Sequence, residues 1–554
     1  MRKGLAMVIF NSILALLAGV GVFIVGMNML SHSLQKVAGP GMKRLIGKIT
    51  KNRFLGVGIG ALVTGIIQSS AATTVMTIGF VNIGTMTLFQ ATSVIMGANI
   101  GTTVTGLLVS LSSFDVGIYA SVLAFIGVMM QFFKNDKVKN IGGIICGLGL
   151  IFIGLDLMSA SFNNNEIKEA IQNIFSGIDF PLLLLLLGIV FTAIMQSSSA
   201  MTGLVIVMVS SGAMPFESGL FIILGANIGT CITALIATIG TSANAKRTGL
   251  IHLLFNVIGV TIFTTFVWIF KTPIVNFLNN AFGNNYAIEI AIFHIAFNVS
   301  TTLILIPFIK YLVRIAEIVI KDKKDEREHV IKYIDERLLQ TPSIAMEQVK
   351  KEILNMALLA QENFKKGIDE LYSQKGDNIK EIGVHEDEID YMNNVITKFL
   401  IKLSPLLGEK DEKILGSYFH VVNDIERIGD YAKNFADDSL KMKNDELHFS
   451  SEARNELRMM VDTIEKMYSL AIELFENPNQ EKLDELNLLE EKTDAYKEEF
   501  SAKHFERLSQ NNCTIELGAF YTVIISSLER VGDHIVNIGF SSQNPTGDQI
   551  SKAL

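Results

Sequence analysis

The chain has 554 residues, more than one compact domain usually holds, and 49% of them are hydrophobic while only 18% are charged. Residues 1–320 carry 17 Lys or Arg against 9 Asp or Glu, and residues 321–554 carry 30 against 46. An apolar, weakly basic first part joined to a polar, acidic second part is unusual for a soluble protein. The acidity of the second part argues against nucleic acid as its partner and suits cations or a basic protein surface. Three cysteines, Cys146, Cys231 and Cys513, define neither a disulfide framework nor a cysteine-rich metal site.

Arg2 and Lys3 before an apolar run resemble the start of a signal peptide, but an internal repeat argues that the run is retained. Residues 60–107 align without a gap on 188–235, an offset of 128, with 21 of 48 positions identical. Gln68-Ser69-Ser70 falls on Gln196-Ser197-Ser198, and Gly97-Ala98-Asn99-Ile100-Gly101-Thr102 on Gly225-Ala226-Asn227-Ile228-Gly229-Thr230. The same offset carries Gly19, Gly21 and Gly26 onto Gly147, Gly149 and Gly154. The repeats therefore run over about 13–133 and 141–270, with a last span at 286–309, inside a membrane domain of residues 1–320.

Spanning helices need about 20 apolar residues. Candidates are 7–30, 88–110, 114–133, 141–160, 217–240, 247–270 and 286–309. The apolar stretches 54–84 and 181–212 are interrupted at their middle by the Gln-Ser-Ser clusters, and we read each as a re-entrant hairpin of two half-helices. Charge tests this reading, because cytoplasmic loops are enriched in Lys and Arg. If the hairpins do not cross, the basic loops 36–53, 134–139 and 241–247 share one side with everything after 310. The N-terminus is then outside, the C-terminal part is cytoplasmic, and the two repeats are inverted. Inverted repeats with broken helices mark secondary transporters, which bind substrate near the midplane at the repeat interface.

The stretches 54–133 and 181–245 contain no Lys or Arg. A carrier of an anion would meet it there with half-helix N-termini and hydroxyls, which do not fully offset a multiply charged anion taken out of water. Bound Na+ would supply the missing charge, held by Gln, Asn, Ser and Thr oxygens and freed carbonyls. Anion and ion would then raise each other's affinity. A lone serine in a membrane helix usually bonds its own backbone, but a gapless symmetric pair of clusters is better explained as a site. His252-x-x-Phe255-Asn256 and His294-x-x-Phe297-Asn298 form a further echo, which we read as holding a helix pair together rather than as a binding element.

These paired motifs resemble the type II sodium–phosphate cotransporter family, in the bacterial form with an appended PhoU-like domain, over essentially the whole chain. The resemblance implies sodium-driven movement of inorganic phosphate through a site formed by Gln68, Ser69, Ser70, Gln196, Ser197, Ser198 and Ser199, with Asn99, Thr102, Asn227 and Thr230 beside it. The first motif reads Gln-Ser-Ser-Ala and lacks the third serine of the second.

Residues 321–554 read as amphipathic helices of a cytoplasmic domain. Asp424-Ile-Glu-Arg-Ile-Gly-Asp430 repeats as Ser527-Leu-Glu-Arg-Val-Gly-Asp533, and Glu386 with Asp390 repeats as Glu490 with Asp494. With Glu426/Asp430 and Glu529/Asp533 this makes four Glu-x-x-x-Asp pairs, each on one helix face. Any single pair reads as a solvated acidic face, whereas four at matching positions suit a helical bundle holding divalent or ferric metal. They also match the PhoU-like family, a pair of three-helix bundles. The expected architecture is all-α: a polytopic membrane domain of two inverted repeats with re-entrant hairpins, then the PhoU-like bundles, which regulate transport or bind a cytoplasmic partner. The competing functions are a sodium-coupled carrier of another small anion and a membrane-anchored phosphate sensor. No nucleotide-binding glycine loop or nucleophile–base set supports an enzyme.

Overall fold

The computed structural model describes residues 2–46, 52–114, 117–178, 180–321 and 331–541. Lys48 and Lys51 of the first basic loop, and the junction 322–330, lie outside these residues. The described residues are helical with no strand, and the chain divides into two compact units, Met1–Asp325 and Glu326–Leu554.

The first unit comprises α1 (Arg2–Ile46), α2 (Arg53–Ile67), α3 (Ser70–Asn82), α4 (Leu88–Ser110), α5 (Gly117–Gln131), α6 (Asp136–Ala160), α7 (Asn165–Ser176), α8 (Pro181–Met195), α9 (Ser198–Ser210), α10 (Phe216–Gly229), α11 (Cys231–Ala237), α12 (Ala243–Ile269), α13 (Lys271–Phe282), α14 (Tyr286–Leu305) and α15 (Ile309–Val319). Among the described residues, six stretches are long and apolar enough to cross a membrane: Phe10–Ala38, Leu88–Ser110, Asp136–Ala160, Phe216–Ala237, Ala243–Ile269 and Tyr286–Val319. The expected span at 114–133 is shorter. Its helix, α5, has 15 residues and lies antiparallel along α6, where a β-carbon on Gly127 would sit 2.3 Å from the Cys146 nitrogen. Exposed apolar side chains such as Leu17, Phe125, Leu186 and Phe266 line the outside of these helices, as lipid contact requires.

Side-chain register establishes the hairpins. A β-carbon on Gly97 of α4 would lie 2.0 Å from the Val57 carbonyl oxygen, and one on Gly101 would lie 2.5 Å from that of Ala61. Helices α2 and α4 therefore run parallel, which is possible only if α3 turns back between them. The second repeat does the same, with Gly225 set against Leu185 at 2.1 Å and Gly229 against Ile189 at 2.7 Å. The small residues let backbones approach closely where lipid offers no hydrophobic drive to pair helices.

Register also establishes the inversion. Gly19 of α1 meets Gly154 of α6, and Gly26 meets Gly147. Gly147 is the repeat equivalent of Gly19, and Gly154 of Gly26. Each residue thus contacts its partner's equivalent across antiparallel helices, the signature of a two-fold. The same pseudo-two-fold relates α12 to α14. Gly259 packs on Thr301, its own equivalent in the His-x-x-Phe-Asn echo, and the Phe263–Phe297 contact (5.1 Å between ring centroids) mirrors the packing of Phe255 with Leu305. α12 packs on α3, α4, α10 and α11, and α14 on α4, α9 and α10, whereas α5 packs chiefly on α6.

The second unit holds α16 (Pro342–Ser373), α17 (Ile379–Leu403) and α18 (Glu409–Asn444) in one three-helix bundle, and α19 (Ser451–Glu476), α20 (Gln480–Ser509) and α21 (Ile515–Phe540) in another. The bundles meet through α18 with α21 and α16 with α19. A buried glutamate repeats in them at an offset of 104. Glu352 accepts from the backbone amides of Lys332 and Ile334 at 2.9 and 3.2 Å and from that of Tyr333. Glu456 instead takes a bidentate Arg507 at 2.9 and 2.7 Å and the Tyr521 hydroxyl. Both obey the requirement that a buried carboxylate be hydrogen-bonded.

Candidate transport site and acidic clusters

Each hairpin breaks at its glutamine. Gln68 ends α2 with φ 58° and ψ 26°, and Gln196 ends α8 with φ 53° and ψ 24°. The following serines are extended, at φ −148° and ψ 107° for Ser69 and φ −146° and ψ 105° for Ser197. A left-handed non-glycine residue costs about 1–2 kcal/mol. Two such residues at equivalent positions mark strain held in place at both tips.

The break places a helix C-terminus against a helix N-terminus at each tip. Ser69 Oγ accepts from the Ala72 amide at 3.2 Å and Ser197 Oγ from the Ala200 amide at 3.1 Å. This capping occupies one acceptor of each hydroxyl and leaves its O–H free to donate. The first-turn amides of Ser70 and Ala71, and of Ser198 and Ser199, have no partner within their own helices. They point a positive dipole end at the tip, while the last carbonyls of α2 and α8 supply oxygens suited to a cation.

The tips are joined through α4. Thr105 donates to Gln68 Oε1 at 2.9 Å, and the position of a β-carbon on the next residue, Gly106, lies 3.7 Å from Thr202 of α9. α11, the counterpart of the end of α4, packs on α3. Asn99 and Asn227 are buried and donate to the carbonyls of Ile95 and Ile223, each at 2.9 Å. Thr102 and Thr230 donate to the Ala98 and Ala226 carbonyls at 3.1 and 2.9 Å. His294 Nε2 lies 3.4 Å from Asn227 Oδ1. Arg53 and Arg247 do not serve the tips: they donate to the Ile306 and Ile320 carbonyls at 3.2 and 2.9 Å.

The two tips are not equivalent in their surroundings. In repeat one, Ser31 donates to the Ile67 carbonyl at 2.5 Å and Thr105 holds Gln68, which is buried. In repeat two the equivalents are Ser159, Thr233 and Gln196, identical to their counterparts, with Met195 in place of Ile67, but these bonds are not made and Gln196 is exposed. An apolar cavity of about 550 Å³ between α1 and α7, lined by Ile13, Leu16, Phe162 and Ile171 among others, shares no residue with the tips. Its lining suits a lipid-facing surface rather than an oxyanion.

In the second unit the carboxylates gather as two groups. Single oxygens of Asp390, Glu426 and Asp430 all lie within 4.8 Å of one another, as do those of Glu490, Asp494 and Asp533. The remaining two predicted ligands are held by lysines: Glu386 by Lys433 and Glu529 by Lys497, each at 2.8 Å. The lysines come from non-equivalent positions, so nothing in the repeat announced them. Arg427 approaches Asp430 at 3.5 Å. Desolvation first, then neighbouring carboxylates, raises the proton affinity of Asp390, Glu426, Glu490 and Asp494, and pushes Asp533 up to about 6. Desolvation raises Asp430 as well, partly offset by Arg427. Close carboxylates that resist sharing their charge fit a hard cation.

Comparison with known proteins agrees with this geometry. The protein-family model described as Na+/Pi-cotransporter matches residues 22–160 and again 162–283, and the PhoU domain model matches 353–439 and 457–541. The chain is 24% identical over 544 residues to the putative inorganic phosphate export protein YjbB of Escherichia coli, covering 96% of this chain and 97% of that one. It is 30% identical over 302 residues to the uncharacterized protein YqeW of Bacillus subtilis, covering 54% of this chain and 96% of that one. It is 35% identical over 136 residues to human sodium-dependent phosphate transport protein 2B, covering 22% of this chain and 20% of that one. The chain is a membrane protein of the Na+/Pi-cotransporter family, carrying a pair of PhoU domains in its C-terminal part.

Proposed function

We propose that the chain is a sodium-coupled carrier of inorganic phosphate whose substrate and ions meet at the hairpin tips. Gln68, Ser69, Ser70, Gln196, Ser197, Ser198 and Ser199 form this site, with Asn99, Thr102, Asn227 and Thr230 behind them. The observation that carries the reading is the pair of tips, matched in backbone conformation and related by the pseudo-two-fold, that meet anions with helix N-termini but no cationic side chain. Phosphate bound there needs sodium as counter-charge, which couples the two.

The asymmetry of the tips supplies the movement. Repeat one is clamped by Ser31 and Thr105, and repeat two carries the same clamp residues released. Exchanging which repeat is clamped carries the site from one face of the membrane to the other, as inverted repeats permit. The distribution of Lys and Arg supports an N-terminus outside and PhoU domains in the cytoplasm. There the acidic clusters, Glu386, Asp390, Glu426 and Asp430 with Glu490, Asp494, Glu529 and Asp533, bind metal and regulate the carrier. Phosphate flux in proteoliposomes with and without a sodium gradient tests the coupling. Flux driven by sodium and inhibited by arsenate but not by dicarboxylates supports the reading. Flux indifferent to sodium contradicts it.

A further inference from the structure

The tips leave unexplained a second polar layer in the membrane unit. His252 and Asn256 of α12, and His294 and Asn298 of α14, are each at most 2% exposed. Both nitrogens of His252, Nδ1 of His294, and Oδ1 of Asn256 and of Asn298 are buried with no hydrogen-bond partner in the protein. Residues that only knit helices together would pair these atoms, because an unpaired polar atom at membrane depth finds no water to satisfy it and is costly. Both asparagine amides already donate, to the His252 and His294 carbonyls at 3.0 Å. What remains unmet on each asparagine is an acceptor oxygen.

Helix register sets each of these residues at the level of an asparagine of the paired Gly-Ala-Asn-Ile-Gly-Thr motifs. Asn256 Nδ2 also donates to Cys231 Sγ at 3.3 Å, and Cys231 lies one helical turn beyond Asn227. On the other side of the two-fold, Thr302 meets the Met96 carbonyl at 3.4 Å, and Ala291 lies 3.9 Å from a β-carbon on Gly106. These two contacts fix α14 antiparallel to α4 and set Asn298 opposite Asn99. Asn99 and Asn227 donate an amide N–H to their own helices, which leaves their side-chain oxygens to accept or to coordinate. His294 is a positioning residue, set 3.4 Å from Asn227 Oδ1.

We propose that Asn256 with Asn227, and Asn298 with Asn99, form a symmetric pair of sites for a hard monovalent cation, Na+. Buried amide oxygens without a donor repel phosphate oxygens but coordinate a small cation, and the class of ligand follows from that. The inference rests on the sodium-coupled reading above and adds, to the ions that meet phosphate at the tips, a second place for sodium on α12 and α14, outside the hairpins. Each site takes one ligand from a repeat motif and one from the α12–α14 pair, so sodium binding ties both repeats to the central helices.

The test is sodium binding without transport. Full-length protein in detergent, free of phosphate, is melted in NaCl and in choline chloride at equal ionic strength. A ligand that binds only the folded state raises the melting temperature with its concentration. The wild type is expected to be stabilised by sodium. Asn256→Leu and Asn298→Leu are each expected to weaken the sodium response by about tenfold or more in affinity, which is about 1.4 kcal/mol. Asn256→Asp and Asn298→Asp keep an oxygen ligand and are expected to retain or tighten it. A wild-type response in the Leu variants overturns the proposal. Where a Leu variant fails to fold, loss of the sodium response in the folded Asp variant overturns it. Sodium-driven phosphate flux in a wild type that shows no sodium stabilisation overturns these sites but keeps the carrier. Sodium stabilisation lost in the Leu variants of a protein without flux keeps the sites and removes the carrier.

Discussion

Thr105→Val removes the one side-chain bond that holds Gln68 across to α4. The hydroxyl donates at 2.9 Å to an amide oxygen on a buried residue, and the valine leaves that oxygen unsatisfied while the clamp stays closed. Leaving a buried acceptor unpaired costs about 1–3 kcal/mol. In a carrier that alternates between two clamped states, that cost falls on the state with repeat one closed and moves the equilibrium by roughly five- to 150-fold. Thr233→Val removes a hydroxyl that holds nothing in this state, so its cost falls on the opposite state. The assay is the phosphate concentration for half-maximal flux, measured from each face of oriented vesicles. Apparent affinity scales with the fraction of carrier in the competent state. The ratio of the two faces' values is therefore expected to shift in opposite directions in the two variants, with the double variant near the wild type. Equal shifts of the same sign, or a ratio that neither variant moves, would refute the exchange of clamps.

Ser31→Ala removes the second clamp bond and is expected to shift the same ratio in the direction of Thr105→Val, by a smaller factor because Ser31 is only part-buried. Gly97→Ala and Gly225→Ala each drive a β-carbon to within about 2 Å of a carbonyl oxygen across the α2–α4 and α8–α10 contacts. Overpacking of this kind costs about 1–3 kcal/mol or more, and either variant is expected to lower the melting temperature in detergent more than Gly58→Ala, which has open space. In the PhoU domains, carboxyls whose proton affinity is raised on folding bind more protons folded than unfolded. Without metal, stability therefore falls as pH rises from the ordinary carboxylate range through about 6, the value for Asp533. Calorimetry of the metal-free full-length protein is expected to show the PhoU transition at higher temperature at pH 5 than at pH 7.5, with a difference that Asp533→Asn reduces. Added divalent metal is expected to stabilise that transition more at pH 7.5, where protons no longer compete.

The repeat was legible because 21 identities at one offset survive in a stretch whose backbone must turn back, cap and pack at fixed places. Gln68 and Gln196 stood out as polar residues interrupting apolar runs, and the structure puts both at left-handed breaks. The glycines of α1 and α6 were visible as repeated residues. Their crossed pairing, Gly19 with Gly154 and Gly26 with Gly147, was not, because spacing along the chain carries no information about which copy meets which. The two-fold between α12 and α14 rests on a short set of identities at an offset of 42, centred on the His-x-x-Phe-Asn echo, too few to outweigh the stronger 128-residue offset. The clamp asymmetry was illegible in principle: Ser31 and Ser159, or Thr105 and Thr233, are identical residues, and only a conformation distinguishes them. Span 114–133 was overestimated since apolar residues continue past the helix, through Phe132 and Phe133, into a turn.

The central claim is that the two hairpin tips together form the transport site. Radiolabelled phosphate flux under a sodium gradient, in proteoliposomes of the wild type and of Gln68→Ala, Gln196→Ala, tests it most directly. Loss of sodium-driven flux in a double variant that remains folded and inserted is the predicted result. Flux at the wild-type rate and the wild-type half-saturating phosphate concentration would contradict the claim and move the site elsewhere in the membrane unit.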